Sequence, residues 1–113
     1  VLAFMDVMPQ APGHTLVIPK FETTNLLNLP DEYLEPILKT TKNIAIAIKK
    51  VYSPAGVMIM QLNGREAGQT VFHLHFHVIQ RSDGLDYKFH SRDVEDFDKL
   101  ENEARKIRKA IAI

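Results

Sequence analysis

The most informative segment of the chain is a short stretch in which histidine alternates with apolar residues. His73, His75 and His77 occupy alternate positions within residues 71–79. Because successive side chains on a β-strand point to opposite faces, a strand here would direct all three imidazoles to one face. The four apolar residues between and beside them would then face a core: Phe72, Leu74, Phe76, Val78.

Three histidines on one face have a chemical consequence. Each ring makes it costlier for its neighbours to carry a positive charge, and this lowers their pKa values. Such a site offers uncharged imidazole near neutral pH, which can act as a nucleophile, a general base or a metal ligand. A lone histidine is most often structural, and we interpret His90 in that way.

A metal site is one alternative that the spacing allows. Same-face neighbours on a strand lie about 6.8 Å apart, so His73 and His75 could share a zinc ion at N–Zn distances of about 2.0–2.1 Å. His77 is too far from His73 to join them. A third ligand would have to come from His14, Asp6 or His90, and the spacing therefore permits a metal without favouring one.

The residues just before the histidines favour a phosphate. Gly68-Gln69-Thr70 leads into the histidine segment. Glycine lets backbone N–H groups approach an anion closely, and a threonine adds a hydroxyl donor. Beside a histidine cluster, this turn indicates a site for a phosphate group.

These residues must be positioned by a small set of elements. Apolar runs predict strands at residues 1–7, 14–19, 57–62 and 71–80, the first of them mostly buried. Apolar residues at spacings of three and four predict amphipathic helices at residues 31–52 and 93–111. Pro36 is tolerated only in a first turn, so the regular part of the first helix should begin near Glu35.

Length and composition exclude several classes of protein. The 113 residues fit one domain, and 14 basic against 14 acidic residues leave no net charge for general nucleic-acid binding. The chain has no cysteine, and hence no disulfide, thiol nucleophile or cysteine-based zinc site. Its apolar runs are shorter than the roughly 20 residues that cross a bilayer, so we expect no membrane partner. Without a basic-then-apolar leader we expect a cytoplasmic protein, and the strand-like start at Val1 suggests that N-terminal elements of the domain are missing.

The pattern His-φ-His-φ-His-φ-φ at residues 73–79, where φ is apolar, resembles the signature of the histidine triad (HIT) superfamily. Residues 67–72 (AGQTVF), 2–7 (LAFMDV), 9–14 (PQAPGH) and 16–20 (LVIPK) resemble the same family in the same order. The likeness is nearest to the bacterial Hint-like branch. The third histidine, His77, is intact, unlike in the nucleotidyltransferase branch, which has glutamine there.

The resemblance implies an α+β fold, with a HIT-like antiparallel sheet of about five strands when complete and two helices. It implies a single HIT domain over residues 1–113, with a catalytic core at 1–81 and a C-terminal helical tail at 91–112. Members of the family usually pair as homodimers, so a second copy of the chain is an expected partner.

The resemblance also implies an activity. The protein would be a phosphoramidase or hydrolase that binds a purine nucleotide of the AMP or GMP type and cleaves it at the α-phosphate. His75 would be the nucleophile and form a nucleotidyl-histidine intermediate, which water then hydrolyses. The scheme needs no metal or other cofactor.

Further roles are carried over residue by residue. His77 would contact the phosphate and the leaving group, His73 would orient His75, and His14 would support His73. The remaining contacts would be made to the phosphate oxygens by Gln69 and Thr70, and to the ribose hydroxyls by Asp6.

The sequence departs from the family in two places. Leu62 stands where many members have the asparagine or glutamine that contacts the nucleotide, and Asn63 or Gln61 would have to replace that contact. An N-terminal segment that often carries a Cys-x-x-Cys pair and base-stacking residues is absent. The Leu62 departure favours one alternative, a nucleotide-binding regulatory or scaffold protein with little turnover. The His73-x-His75 spacing favours the other, a metal-dependent hydrolase.

Overall fold

The computed structural model describes residues 1–84 and 94–111, which form a four-stranded antiparallel sheet and two helices. The strands are β1 (Leu2–Met5), β2 (Thr15–Ile18), β3 (Gly56–Met60) and β4 (Phe76–Arg81), in the spatial order β1-β2-β4-β3. The helices are α1 (Leu34–Tyr52) and α2 (Phe97–Ile111), and short 3-10 turns lie at Leu26–Asn28, Asp31–Tyr33 and Arg65–Ala67. The predicted α+β architecture is confirmed, with four strands in the described part of the chain.

Both helices are amphipathic. The buried positions of α1 recur every three or four residues: Ile37, Thr41, Ile44, Ala47, Ile48. Pro36 lies in its first turn, where no intrahelical N–H bond is lost. The helix ends at Ser53, which has a left-handed φ of 47° and donates its N–H to the carbonyl of Lys49. Neither α1 nor α2, nor any shorter helix within residues 1–84 and 94–111, is long and apolar enough to cross a bilayer.

The core lies on one face of the sheet. α1 packs across β2, β3 and β4, and α2 packs against α1 and β1. Val17 and Val78 from the two central strands are fully buried beneath α1. Because side chains alternate along β4, His77 points to the face opposite that of Phe76 and Val78, away from the helices.

The structure corrects two predictions about the strands. β4 begins at Phe76 rather than at residue 71, so His73 and His75 precede it. The reason is that Leu74 donates its N–H to Thr23, in the loop before α1, instead of to a neighbouring strand. As a result Phe72 is 52% exposed and is not a core residue.

The second correction concerns β1, which was expected to be mostly buried. Leu2 and Phe4 are 46% and 42% exposed, whereas Ala3 and Met5 are half-buried. β1 is an edge strand whose inner face alone meets α2, so only alternate residues are covered. Residues 91–93 and 112 of the predicted tail lie outside the described residues. The tail helix, predicted at residues 93–111, is observed as α2 and begins at Phe97.

Candidate active site

The histidines lie at the start of the strand that crosses the middle of the sheet. His77 is paired with Leu16 of β2 and Met60 of β3, so it is held on both sides by hydrogen-bonded strands. Burial alternates as predicted from position 73 onward, since His73, His75 and His77 are all partly exposed. The residues that alternate with them from position 74 onward are buried: Leu74, Phe76, Val78.

His14, immediately before β2, makes the shortest contact to the triad. Its Nε2 lies 2.9 Å from His77 Nδ1, and its Nδ1 accepts the backbone N–H of Gln10 at 3.1 Å. A ring nitrogen that accepts a hydrogen bond carries no proton, so neutral His14 holds its proton on Nε2 and donates it to His77 Nδ1. Neutral His77 must then carry its own proton on Nε2. The prediction that His14 supports His73 is wrong, because His14 is bonded to His77.

His75 is held in the opposite tautomer. Its Nδ1 lies 2.7 Å from the backbone carbonyl oxygen of His73, which can only accept, so Nδ1 carries the proton. When the ring is neutral, its lone pair is therefore on Nε2. His73 thus contacts the His75 ring through its backbone carbonyl, while its side chain contacts the Pro19 carbonyl through Nε2 at 3.3 Å. The orienting role of His73 stays a prediction.

The two central rings stand close enough to act on one group. The ring centroids of His75 and His77 are 4.9 Å apart and the rings meet edge to face. With the tautomers given above, the neutral rings offer a lone pair on His75 Nε2 and an N–H donor on His77 Nε2. A nucleophile next to a hydrogen-bond donor is the arrangement that attack on a phosphoryl group requires.

Burial keeps the inner histidines uncharged. Desolvation lowers the pKa of His77 to about 4, with smaller contributions from His14 and His75 and an opposing one from Asp6. Desolvation also lowers the pKa of His14, which is 1% exposed, although Asp6 opposes the shift. Both rings are neutral at pH 7, as the direction of their hydrogen bonds also demands.

Asp6 follows β1 and uses its two carboxylate oxygens differently. Oδ1 accepts the N–H of Met8 at 2.9 Å and so fixes the turn that follows. Oδ2 lies 3.5 Å from His14 Nε2, which is longer than the 2.9 Å between that nitrogen and His77 Nδ1. The structure therefore places Asp6 beside the histidines, with the side chain 18% exposed.

The loop between β3 and β4 is held together by amide side chains. Gln69 is 3% exposed, and its amide accepts from the Gly64 N–H and donates to the carbonyls of Thr24 and Val71. Its side chain is thus committed to the shape of the loop, whereas Thr70 is exposed at the loop's end.

The two residues that precede Gly64 also face inward. Asn63 Oδ1 accepts from the Leu26 N–H and from Gln61, so this side chain ties the loop to the segment before α1. Leu62 is packed against Gly68, since a Cβ added there would lie 3.2 Å from Leu62 Cδ1. The apolar Leu62 thus covers part of the loop and offers no hydrogen bond.

The metal alternative can be tested on the geometry. Within residues 1–84 and 94–111, ligand atoms of Asp6, His14 and His77 lie within 4.8 Å of one another. Coordination through His14 Nε2 would move its proton to Nδ1, against the N–H of Gln10. This group therefore fits a metal poorly as it stands. Among those residues, His73 and His75 belong to no group of three potential ligands, and His90 lies outside them.

Two features of the site were missed by the sequence analysis. Gln10 acts through its backbone N–H, which leaves no signature in the residue type. Gln80, which is 6% exposed, donates to the Pro12 carbonyl at 2.7 Å and fixes the same turn from β4. The available signal for the second was a glutamine that follows the apolar residues Val78 and Ile79 in the same strand.

An apolar cavity lies away from the histidines. A cavity of about 650 Å³ lies between β1 and α2, and its walls include Phe4, Met5, Phe97 and Leu100. None of the four histidines lines it. The chemistry-bearing residues thus lie apart from this apolar space.

Comparisons with known proteins bear on the assignment of this site. The sequence model of the HIT domain family matches residues 1–84. An uncharacterized HIT-like protein of Borreliella burgdorferi is 48% identical over 92 residues, covering 78% of this chain. The chain spans just under two thirds of that relative, since the match covers 66% of it.

Two further similarities cover nearly the whole chain. The adenosine 5'-monophosphoramidase HNT1 of Candida albicans is 36% identical over 97% of this chain and 76% of that protein. Among solved structures, a Hit-like protein from Bartonella henselae, described as involved in cell-cycle regulation, is 47% identical. Its TM-score is 0.88, and the match covers 96% of this chain and 78% of that one.

Proposed function

Because the chain belongs to the HIT domain family, we propose that it is a nucleotide hydrolase, and more specifically a phosphoramidase acting at the α-phosphate of a purine nucleotide. The observation that carries the proposal is the pair of opposite tautomers. His75 is bonded through Nδ1 to a carbonyl and keeps a lone pair on Nε2. His77 accepts on Nδ1 from His14 and keeps an N–H on Nε2.

The first half of the reaction forms a covalent intermediate. The His75 Nε2 lone pair forms a bond to the α-phosphorus as the phosphorus–nitrogen bond of the substrate breaks. The electron pair of that bond leaves with the amine, which takes a proton from water. His77 Nε2–H donates to the phosphoryl group and stabilises the charge that develops there.

The second half regenerates the enzyme. A water oxygen forms the new bond to phosphorus while the bond to His75 Nε2 breaks and its electron pair returns to the ring. The water proton is released to solvent, and the nucleoside monophosphate departs. The His73 carbonyl supports both halves, since it stabilises the positive charge on His75 through Nδ1–H while the intermediate lasts.

The substrate contacts follow from what each side chain has free. Asp6 retains a carboxylate oxygen that could accept from ribose hydroxyls. Thr70, exposed at the end of the loop, has a hydroxyl for a phosphate oxygen. Gln69 and Asn63 act indirectly in this proposal, because their amides are engaged within the protein and hold the loop in place.

The test is a reaction with an adenosine phosphoramidate, quenched in alkaline denaturant because acid cleaves phosphorus–nitrogen bonds, and analysed by intact mass. We expect turnover in EDTA, an adduct of one adenylyl group, and loss of both in His75→Asn. The control is Asn43→Ala, at an exposed position of α1. Activity that EDTA abolishes and zinc restores would overturn the proposal in favour of a metal-dependent hydrolase.

A second candidate function is nucleotide binding with little turnover, and the packing of Leu62 favours it. Leu62 fills the space beside Gly68 and supplies no polar contact. If this is the function, the nucleotide binds and no adduct forms in the quenched reaction. Comparing Leu62→Asn with the natural chain separates the cases, because a restored amide contact should strengthen nucleotide binding by about 1 kcal/mol.

We also propose that the protein pairs with a second copy of itself through β3. β3 is an edge strand of the four-stranded sheet, and its Ile59 is 49% exposed. Leu38 and Ile46 of α1 are 52% and 44% exposed beside it, and a cavity of about 400 Å³ lies between the two elements. Ile59→Lys should convert a dimer to a monomer in sedimentation velocity, and a natural chain that sediments as a monomer would refute this.

A further inference from the structure

The turn that precedes β2 is held from behind by the C-terminal helix. The N–H of Gly13 donates to Oε2 of Glu103 in α2, at 3.3 Å and across 90 residues of sequence. Glu103 is 6% exposed, which is unusual for a carboxylate. Burial raises the pKa of Glu103, because it disfavours the charged carboxylate. Protonation of the carboxyl group therefore lowers the free-energy cost of burying it.

Two further elements contact the same turn. Gly13 has a φ of +84°, and a Cβ added there would lie 2.5 Å from Cε2 of Tyr52 at the end of α1. Gln80 holds Pro12 from β4, at 2.7 Å. The turn is therefore fixed by α1, α2 and β4 together.

What this turn presents to the site is the N–H of Gln10. That N–H donates to His14 Nδ1, so His14 carries its proton on Nε2, which lies 2.9 Å from His77 Nδ1 and 3.5 Å from Asp6 Oδ2. A small rotation of the turn would release His14 Nδ1, and the ring could then take the other tautomer. His77 Nδ1 would then lose the N–H that His14 donates to it, and nothing at that nitrogen would keep the proton of His77 on Nε2.

We propose that Glu103 is a positioning residue of the active site: by holding Gly13 it aims the Gln10 N–H at His14 and keeps His77 in the tautomer with a proton on Nε2. Glu103 touches none of the reacting atoms, so its effect passes through the turn. The kinetic part of this inference rests on the proposed function, whereas its structural part concerns the tautomer alone. α2 is thus part of the support of the site.

The test compares two substitutions of similar length. Glu103→Met removes the acceptor for Gly13, and Glu103→Gln keeps it. We expect Glu103→Met to lower kcat about tenfold with KM changed less than about twofold, and Glu103→Gln to restore kcat to within about twofold of the natural chain. The control is Glu101→Gln, on the exposed side of the same helix.

The decisive readout is the ¹⁵N shift pattern of the His14 ring, which reports its tautomer without substrate. Glu103→Met should move His14 toward the Nδ1–H form, while Glu103→Gln and Glu101→Gln should not. Gln80→Met, which frees Pro12 instead, provides a second route should Glu103→Met not fold, and it should shift the tautomer in the same direction. An unchanged His14 pattern in the folded variants would overturn the proposal. A natural chain without turnover would overturn the proposed function and leave the tautomer test intact.

Discussion

Replacing His77 by asparagine should make the protein less sensitive to acid. The pKa of His77 is about 4 instead of the ordinary 6.5, chiefly because burial penalises the charged ring. His14 and His75 add repulsion, and Asp6 offsets part of it. Between these two pH values the unfolded chain binds a proton that the native ring does not. The stability that depends on a neutral His77 ring is therefore fully present above pH 6.5, and it is lost as the pH falls toward 4.

The magnitude follows from the size of that window. A pKa lowered from 6.5 to about 4 corresponds to about 3 kcal/mol at ~1.36 kcal/mol for each pH unit. The ring is only partly buried and water screens its charge, so we expect about 2 kcal/mol to be measured. Asparagine presents an oxygen close to the position of His77 Nδ1. It can still accept from His14 Nε2, and it does not titrate.

The assay is urea unfolding followed by circular dichroism at about pH 7 and about pH 4.5. The natural chain should lose about 2 kcal/mol more stability over this range than His77→Asn. Glu103, whose raised pKa acts in the opposite direction, is present in both chains and cancels from the difference. Equal losses in the two chains would refute the reasoning, since they would mean that the native His77 ring binds a proton as readily as the unfolded one.

Three further substitutions test the packing around the site. Tyr52→Phe removes a buried hydroxyl that has no partner within the described residues, so the free energy of unfolding should stay the same or rise by up to about 1 kcal/mol. A clear fall in the melting temperature would contradict this and reveal a partner. Gln69→Leu leaves three backbone groups unbonded and should cost about 2–3 kcal/mol in urea unfolding; a loss below about 0.5 kcal/mol would contradict this. Ser53→Gly relieves a left-handed backbone at the end of α1 and should raise stability by about 0.5–1 kcal/mol, with no gain as the contradicting result.

The elements that were predicted well are those whose pattern is local. In α1, the buried residues follow the helical spacing read from the sequence, and Pro36 falls in the first turn as required. The alternation of His75 and His77 with Phe76 and Val78 likewise survives in the structure. Both patterns are set by backbone geometry within a few residues, so one segment suffices to predict them.

The start of β4 could not be predicted, because pairing depends on a distant segment. Residues 71–75 alternate as a strand would, yet Leu74 bonds to Thr23 rather than to β2 or β3. An extended segment and a paired strand have the same side-chain period. Phe72 lies before β4 begins, and it is 52% exposed.

The hydrogen-bond partner of His14 could not be predicted from the sequence either, for a different reason. His14 and His77 are 63 positions apart, and the neighbouring strands β2 and β4 bring them together. The proton on His14 is then assigned by a backbone N–H, which every residue except proline possesses. Residue types alone could identify the histidines of the site but could not assign their hydrogen-bond directions.

The hydrogen-bond directions at His14 and His77 and the lowered pKa values of both rings have the same consequence, since both favour the neutral form of each ring. A proton added to His14 Nδ1 would face the Gln10 N–H, so protonation would set two donors against each other in a place that water scarcely reaches. Desolvation opposes the same proton independently. The donor that His77 offers to a phosphate therefore depends on His14 staying neutral and on the turn staying where α2 and β4 hold it. Acid should accordingly impair the site through His14 and His77, while His75, bonded to a carbonyl, keeps its orientation whether or not the ring is charged.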